Sequence, residues 1–230
     1  MKISLFLSIF FCAALLLGNS SRSPYAKKVK KVSSGDVYMR ISAEKQRGET
    51  CNPTSMSMIL EYYGIRVSSA DLQKDSDKTD SYKYSGYLQQ QLKKYKMYML
   101  PLPMLKGHET AVFESVKRAI DCGLPMQWLV DLLKAPDYDV SKKQKKQLRK
   151  QGTVAGHARV FNGYHLNRKN QKTDYFIFTD SWGIKHRKKE IKTADVSKMT
   201  FGFYIIVPES LPIEVIKYIY EPVQKIIPQK

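Results

Sequence analysis

Residues 46–64 read QRGETCNPTSMSMILEYYG and place a cysteine directly before an amphipathic segment. The apolar side chains of this segment recur at helical spacing, Pro53 suits a first helical turn and Gly64 suits a helix end. The pattern predicts a helix over Pro53–Tyr63 with one buried face. Cys51 then lies at the positive end of the helix dipole, which lowers the pKa of a thiol and favours the nucleophilic thiolate.

Cysteine number leaves a second interpretation of Cys51. The chain has three cysteines, and Cys12 lies in an N-terminal apolar run, so Cys51 and Cys122 remain for the folded protein. In an oxidising compartment two cysteines are usually a disulfide. A Cys51–Cys122 bond would exclude a reactive thiol, unless it were a reversible lock.

The remaining elements predict an α+β domain. After the first helix, the apolar spacing predicts three further helices, and then four short runs rich in aromatic and branched residues predict strands. We therefore expect an N-terminal helical half and a C-terminal antiparallel sheet half, with the cleft between them. The predicted helices start at Ser69, Tyr84 (to Tyr95) and Thr110 (to Cys122), and the strands are Pro125–Val130, Val154–Tyr164, Tyr175–Thr179 and Phe201–Val207.

Two strands carry the polar residues that could act with Cys51. His157 follows Gly156 at the start of one strand, where a glycine permits close approach of a backbone or ligand, and Asp180 ends the next strand. A hairpin joining the two strands would bring Asp180 beside His157. The carboxylate would then hold the imidazole in the tautomer that takes a proton from Cys51.

Four motifs follow one another along the chain. They are Gln46, then Cys51 opening a helix that ends in Tyr62-Tyr63-Gly64, then Gly156-His157 leading to Gly163-Tyr164, and Asp180-Ser-Trp182-Gly183. In this order they resemble papain-like cysteine peptidases, over residues 36–207. The resemblance is strongest to the compact bacterial branch typified by peptidases that remove double-glycine leader peptides.

The resemblance implies roles for these residues. Cys51 is expected to be the nucleophile, His157 the general base and acid, and Asp180 the residue that orients the histidine. Gln46 is expected to donate to the oxyanion together with the backbone N–H of Cys51. Asn52 departs from the glycine usual in the branch. Because the leader-removing members are fused to transporters, their substrate is not carried over.

The N-terminus and the domain limits are read from composition. Residues 1–20 hold one charged residue and an apolar run from Ile3 to Leu17, which is typical of a secretory signal peptide. We expect a secreted or cell-envelope protein with no membrane span once the signal is removed. Residues 21–35 are predicted to be a flexible basic linker, residues 36–207 the peptidase domain and residues 208–230 a C-terminal helical extension.

Charge is concentrated outside these motifs. Lysine and arginine number 39 against 21 acidic residues, a formal net charge of +18, and 43% of residues are hydrophobic, which excludes a disordered chain. No nucleic-acid-binding signature and no zinc-type spacing accompanies the basic runs, so we expect no specific nucleic acid, metal or cofactor. The run Lys142–Lys150 is a possible contact for an anionic surface or polymer.

The leading interpretation is a secreted cysteine hydrolase that cleaves peptide bonds through an acyl-enzyme. Two alternatives stay open from the sequence. One is an inactive papain-like module that binds an anionic surface or partner. The other is an enzyme that acts on peptidoglycan amides or by acyl transfer.

Overall fold

The computed structural model describes residues 23–32, 35–47, 50–74, 84–150, 152–167, 169 and 173–226. The helices are α1 Cys51–Tyr62, α2 Ser69–Gln73, α3 Tyr84–Lys94, α4 Glu109–Asp121, α5 Lys142–Leu148, α6 Thr193–Met199 and α7 Ile213–Gln224. The strands are β1 Val29–Lys31, β2 Asp36–Met39, β3 Met97–Pro103, β4 Met126–Asp131, β5 Gly156–Leu166, β6 Thr173–Asp180, β7 Lys189–Lys192 and β8 Thr200–Pro208.

All eight strands belong to one antiparallel sheet organised around β5. Strand β5 pairs with β6 on one edge, while its other edge pairs first with β4 and then with β2. The sheet continues from β4 through β8 to β3, and from β6 to β7. The α+β class is confirmed, and so is the hairpin expected between the strands that carry His157 and Asp180.

The division into a helical half and a sheet half needs correction. Strands β1, β2 and β3 come from the N-terminal part of the chain but lie in the same sheet as the C-terminal strands. The sequence did not predict β3, because Pro101 and Pro103 argue against a central strand. Among the described strands β3 pairs with β8 alone, and an edge strand tolerates proline because one of its sides needs no hydrogen bonds.

The structure also differs from the linker predicted for residues 21–35. Ser23 is buried and its hydroxyl donates to the carbonyl of Cys122 at 2.6 Å, and Val29 to Lys31 pair with β2. This strand was missed because its sequence, Val-Lys-Lys, has the charge of a sheet edge rather than an apolar run. The predicted signal peptide, residues 1–20, lies outside the described residues.

Two apolar clusters cover the two faces of the sheet. Neighbouring residues of β5 point in opposite directions, so Val160 packs with α1 and α3 while Phe161 packs with α4 and α7. Trp128 of β4 fills the second cluster and is fully buried. Helix α1 therefore lies across β5, which places Cys51 close to the start of that strand.

The C-terminal helix α7 packs on the same core rather than standing apart from it. Its inward residues Val215, Ile219 and Val223 are buried in the cluster that contains Phe161. Arg118 of α4 reinforces the contact, since its guanidinium donates to Glu221 at 2.7 Å and to the Tyr218 carbonyl at 2.8 Å. None of the helices in the described ranges has the length and apolar character needed to cross a membrane.

Candidate active site

Cys51 is the first residue of α1, so the helix begins before the start predicted at Pro53. The loop before it is closed by Thr50, whose hydroxyl accepts from the Arg47 N–H at 3.1 Å and donates to the Arg47 carbonyl at 2.9 Å. Pro53 in the first turn needs no N–H partner and starts the helix with the correct backbone angle. The thiol thus lies at the positive end of the α1 dipole, as the sequence predicted.

His157 and Asp180 meet across the β5–β6 hairpin. In the register of these strands Arg159 lies opposite Asp180, and His157 is two residues away on the same face of β5. The imidazole Nε2 lies 2.8 Å from Asp180 Oδ1, and the two side chains are 4% and 0% exposed. This nitrogen is committed to Asp180, which leaves Nδ1 to face other partners.

Cys51 and His157 form the remaining contact of the three, a side-chain hydrogen bond. Burial by itself raises the pKa of the Cys51 thiol, but the hydrogen bond and charge of His157 and the backbone N–H groups of Ala158 and Asn52 bring that pKa below its usual value. Burial lowers the pKa of His157, and the hydrogen bonds and charges of Asp180 and Cys51 overcome it and raise the pKa. Both directions favour a thiolate–imidazolium pair.

Trp182 covers the histidine. Its ring centroid lies 5.0 Å from that of His157 with the planes tilted by 32°, and the ring of His186 meets its other side edge-on at 5.6 Å. The turn that aims Trp182 depends on Gly183, whose φ of 102° is strained for any residue with a Cβ. The indole therefore packs against the imidazole that contacts Asp180.

Gln46 is tethered next to Asp180. Its backbone N–H donates to the Ser181 carbonyl at 2.7 Å, and its side-chain Oε1 accepts from the Ser181 hydroxyl. The two contacts hold both the backbone and the side chain of Gln46 against Ser181. The residue expected in an oxyanion hole is therefore anchored to the turn that follows Asp180.

The sequence reasoning missed a buried arginine behind the histidine. Arg159 is fully buried, and its Nε lies 2.9 Å from Asp180 Oδ2 as an ion pair without aligned hydrogen-bond geometry. Its Nη1 donates to Asp139 at 2.7 Å, and Lys189 donates to the other oxygen of Asp139 at 2.7 Å. A charged chain therefore runs from His157 through Asp180, Arg159 and Asp139 to Lys189.

The sequence contains a signal for this row of charged side chains. Arginine is almost never fully buried unless paired, and Arg159 occupies a strand otherwise filled by Val160 and Phe161. The charge has a consequence at the site. Burial raises the pKa of Asp180, but His157, Arg159 and Lys189 together hold that pKa below its usual value.

The structure also bears on the two cysteines, on Gly156 and on groups of side chains that could bind a metal. Cys51 and Cys122 are both free thiols, and Cys122 is buried with its pKa raised to about 12 by burial. A Cβ at Gly156 would meet no atom of the described residues within 4 Å, so no backbone in that part of the chain approaches the glycine closely. In the described ranges no three His, Cys, Asp or Glu side chains lie together as metal ligands would.

Comparisons with known proteins assign the chain to a family. The Peptidase_C39 like family matches residues 38–204, which is well over half of the chain. No curated protein matches it significantly. A protein of Bacillus anthracis described as a C39-like peptidase is similar in structure, with 17% identity, a TM-score of 0.48, and coverage of 73% of this chain and 94% of the other.

PepW of Lactobacillus rhamnosis HN001 matches with 12% identity and a TM-score of 0.34, over 70% of this chain and 43% of the other. Neither structural similarity is high enough to carry an argument. The assignment rests on the family match, which spans all the residues of the site. This chain belongs to the Peptidase_C39 like family, a family of papain-like cysteine peptidases.

Proposed function

We propose that this protein is an exported cysteine peptidase that uses Cys51, His157 and Asp180. The observation that carries the proposal is the continuous contact from the thiol at the start of α1 through the imidazole to a buried carboxylate. Nucleophile, base and orienting group in hydrogen-bond sequence form the arrangement that activates a thiol. Export is inferred from residues 1–20 alone.

In the proposed reaction the Cys51 thiolate attacks the carbonyl carbon of the scissile amide. The charge that forms on the carbonyl oxygen is stabilised by the Cys51 backbone N–H and the Gln46 side chain, where one such donor contributes about 2.7–4 kcal/mol. The His157 imidazolium then gives its proton to the leaving nitrogen, and the C–N bond breaks. The product is a thioester on Cys51 and a free amine.

Water completes the cycle. Neutral His157 takes a proton from the water as its oxygen attacks the thioester carbonyl, and the C–S bond breaks to release a carboxylic acid and Cys51. Asp180 stays ionised throughout because Arg159 and Lys189 face it. Its role is to stabilise the imidazolium and fix the ring orientation, rather than to accept the proton.

Alkylation tests the proposal without a known substrate. Iodoacetamide should label Cys51 rapidly at neutral pH, whereas Cys122, with its pKa near 12, should label slowly and serves as a control within the same chain. Cys51→Ala should abolish peptide hydrolysis and leave the fold intact. Labelling of Cys51 no faster than that of a thiol in the unfolded chain would contradict the proposal.

A further inference from the structure

A pocket lined by cations lies along the chain segments that lead to the active site. It is a cavity of about 240 Å³ between residues 38–41 and residues 187–188, with Asn162 of β5 in its lining. The charged residues that line it are all basic: Lys30, Arg40, Arg187 and Lys188. We call it the cationic pocket.

Most of this charge has no internal counterion. Lys188 is neutralised, since its ammonium donates to Asp36 at 3.0 Å and lies 4.8 Å from the Tyr38 ring centroid. Lys30, Arg40 and Arg187 are exposed and make no ion pair with the described residues. Three cations that face one cavity without a carboxylate attract an anionic ligand.

Asn162 fixes one wall of the cationic pocket. It is 2% exposed, and its Nδ2 donates to the Met39 carbonyl at 2.7 Å, which ties β5 to the segment that carries Arg40. An arginine guanidinium pairs with a carboxylate through two parallel hydrogen bonds. Because the proposed substrate is a peptide, the carboxylate that fits this pocket is an acidic side chain of that peptide.

Two segments connect the pocket to the active site. They are residues 40–45 and residues 182–187, which meet beside the catalytic residues at the bridge between Lys45 and Trp182. Arg40 lies five residues before Lys45, and Arg187 lies five residues after Trp182. Five extended residues span at most about 18 Å. The pocket therefore lies no more than about 18 Å from the Lys45–Trp182 bridge, a distance that an extended substrate covers with about five residues.

We propose that the cationic pocket binds an acidic side chain of the peptide substrate, about five residues from the scissile bond. Arg40 and Arg187 bind the carboxylate through their guanidinium groups. The pocket thereby makes the peptidase selective for substrates with an acidic segment. This inference rests on the proposed function, because it names the substrate class of the same site.

Peptide binding to the full chain carrying Cys51→Ala, which prevents turnover, provides the test. The probes are dye-labelled Gly/Ser peptides in which a Glu-Glu pair is moved along the chain, each compared with its Gln-Gln counterpart by fluorescence anisotropy. We expect one placement of the pair to strengthen binding about tenfold, the effect of a single charge-assisted hydrogen bond. Arg40→Gln/Arg187→Gln should abolish this preference.

The matched control is Lys142→Gln/Lys143→Gln, which removes the same charge from exposed helix α5 and should keep the preference. An equal loss in both double variants would overturn the proposal, because the attraction would then be long-range. The absence of any preference for Glu would overturn it as well. So would inorganic phosphate binding to the arginine pair as tightly as the Glu peptide, which would make the pocket a free oxyanion site.

Alkylation separates this inference from the proposed function. Arg40→Gln/Arg187→Gln with Cys51 intact should react with iodoacetamide at the wild-type rate, because neither arginine contacts the catalytic residues. Slow labelling of Cys51 in the wild type would remove the proposed function. Normal labelling without a preference for Glu peptides would remove only the role assigned to the cationic pocket.

Discussion

At the scale of single residues, the site depends on where three charges are held. The thiol, imidazole and carboxylate each have a pKa moved toward the charged form despite burial. Burial alone would neutralise all three, so their mutual contacts must outweigh the loss of hydration. Arg159 adds to this effect, because its charge favours the ionised form of Asp180.

Asp180→Asn tests the carboxylate at the end of this chain. The amide keeps the shape but removes the charge that raises the pKa of His157, so the imidazolium and its thiolate partner should become less populated at neutral pH. We expect peptide hydrolysis to fall about 10²–10⁴-fold. The rate of Cys51 alkylation against pH should shift its rise toward the ordinary thiol range, and an unchanged profile would exclude this role.

The low pKa of Asp180 also predicts acid sensitivity. A carboxylate whose folded pKa lies below its unfolded value of 3.8 stabilises the fold above that pH and loses this contribution as pH falls through the folded value. The free energy of unfolding should therefore decrease in acid more steeply for the wild type than for Asp180→Asn. Urea titrations at neutral and acid pH measure it, and parallel curves would contradict it.

Arg159→Met should destabilise the protein and disturb the site together. Asp180 and Asp139 would be left buried without their shared partner, and breaking a buried ion pair costs about 3–5 kcal/mol. Arg159→Lys keeps the charge and should recover part of the stability and of the alkylation pH profile. A purely structural role would restore stability in Arg159→Lys and leave the pH profile unaffected in both variants.

Lys189→Met provides a milder version if Arg159→Met fails to fold. Lys189 is 23% exposed and contacts Asp139 rather than Asp180. We expect a smaller shift of the alkylation profile in the same direction. Lys188→Met, which removes a neighbouring cation bound to Asp36, is the control and should leave the profile unchanged.

At the scale of elements, the close pairing of β2 with β5 fixes the start of the segment that carries Gln46. Tyr38 pairs with Gly163, where a Cβ would lie 2.6 Å from the Tyr38 Cβ and 2.7 Å from the Val37 carbonyl. Only glycine permits this approach. Because β2 leads into the loop tied to Ser181, the strand contact also positions Gln46, the proposed oxyanion donor.

Gly163→Ala should therefore push β2 away from β5. We expect a loss of stability of about 1–3 kcal/mol, the usual cost of overpacking. Slower peptide hydrolysis should accompany it, since the loop of Gln46 shifts with the strand. Gly202→Ala in β8 is the matched control, because its Cβ would meet atoms no closer than 3.8 Å. Equal effects of the two changes in thermal unfolding and hydrolysis would count against this reasoning.

At the scale of the whole molecule, His157 and Asp180 are built into the sheet and Cys51 into the start of α1, while helix α5 stands outside the core. Ser141 and Gln144 form a capping box that starts α5, and none of its residues is buried. Asp137 pairs with Lys145 at 2.8 Å and with Lys142 at 3.8 Å, and Lys142, Lys143 and Lys146 are all exposed. Because α5 lies outside the core, its lysines are accessible for the contact with an anionic surface or polymer that the sequence predicts.

Neutralising α5 should weaken binding to anionic surfaces without affecting the site. Lys142→Gln, Lys143→Gln and Lys146→Gln together should reduce cosedimentation with vesicles that contain anionic phospholipid, since each nearby lysine contributes about 1 kcal/mol. Alkylation of Cys51 should stay at the wild-type rate. Unchanged cosedimentation would show that α5 is only a solvated helix.

The sequence was most informative where local pattern and local chemistry coincide. Helix α1 was predicted from its spacing, and Cys51 was singled out because a thiol at a helix start is chemically distinctive. Strands β1 and β3 escaped because their residues, charged in one and proline-rich in the other, suit edge positions that only the neighbouring strand defines. Arg159 escaped for a related reason, since its two carboxylate partners are distant in sequence.

By itself, the sequence indicated the family and the α+β class and singled out Cys51, His157 and Asp180 as the proposed catalytic residues, through the order of its motifs and the chemistry of those residues. Only the tertiary structure decided that β1 to β3 join one sheet, that Arg159 links Asp180 to Asp139, and that Arg40 and Arg187 line one pocket. Each of these depends on contacts between distant segments. Such contacts are set by strand register and packing, which no single stretch of sequence specifies.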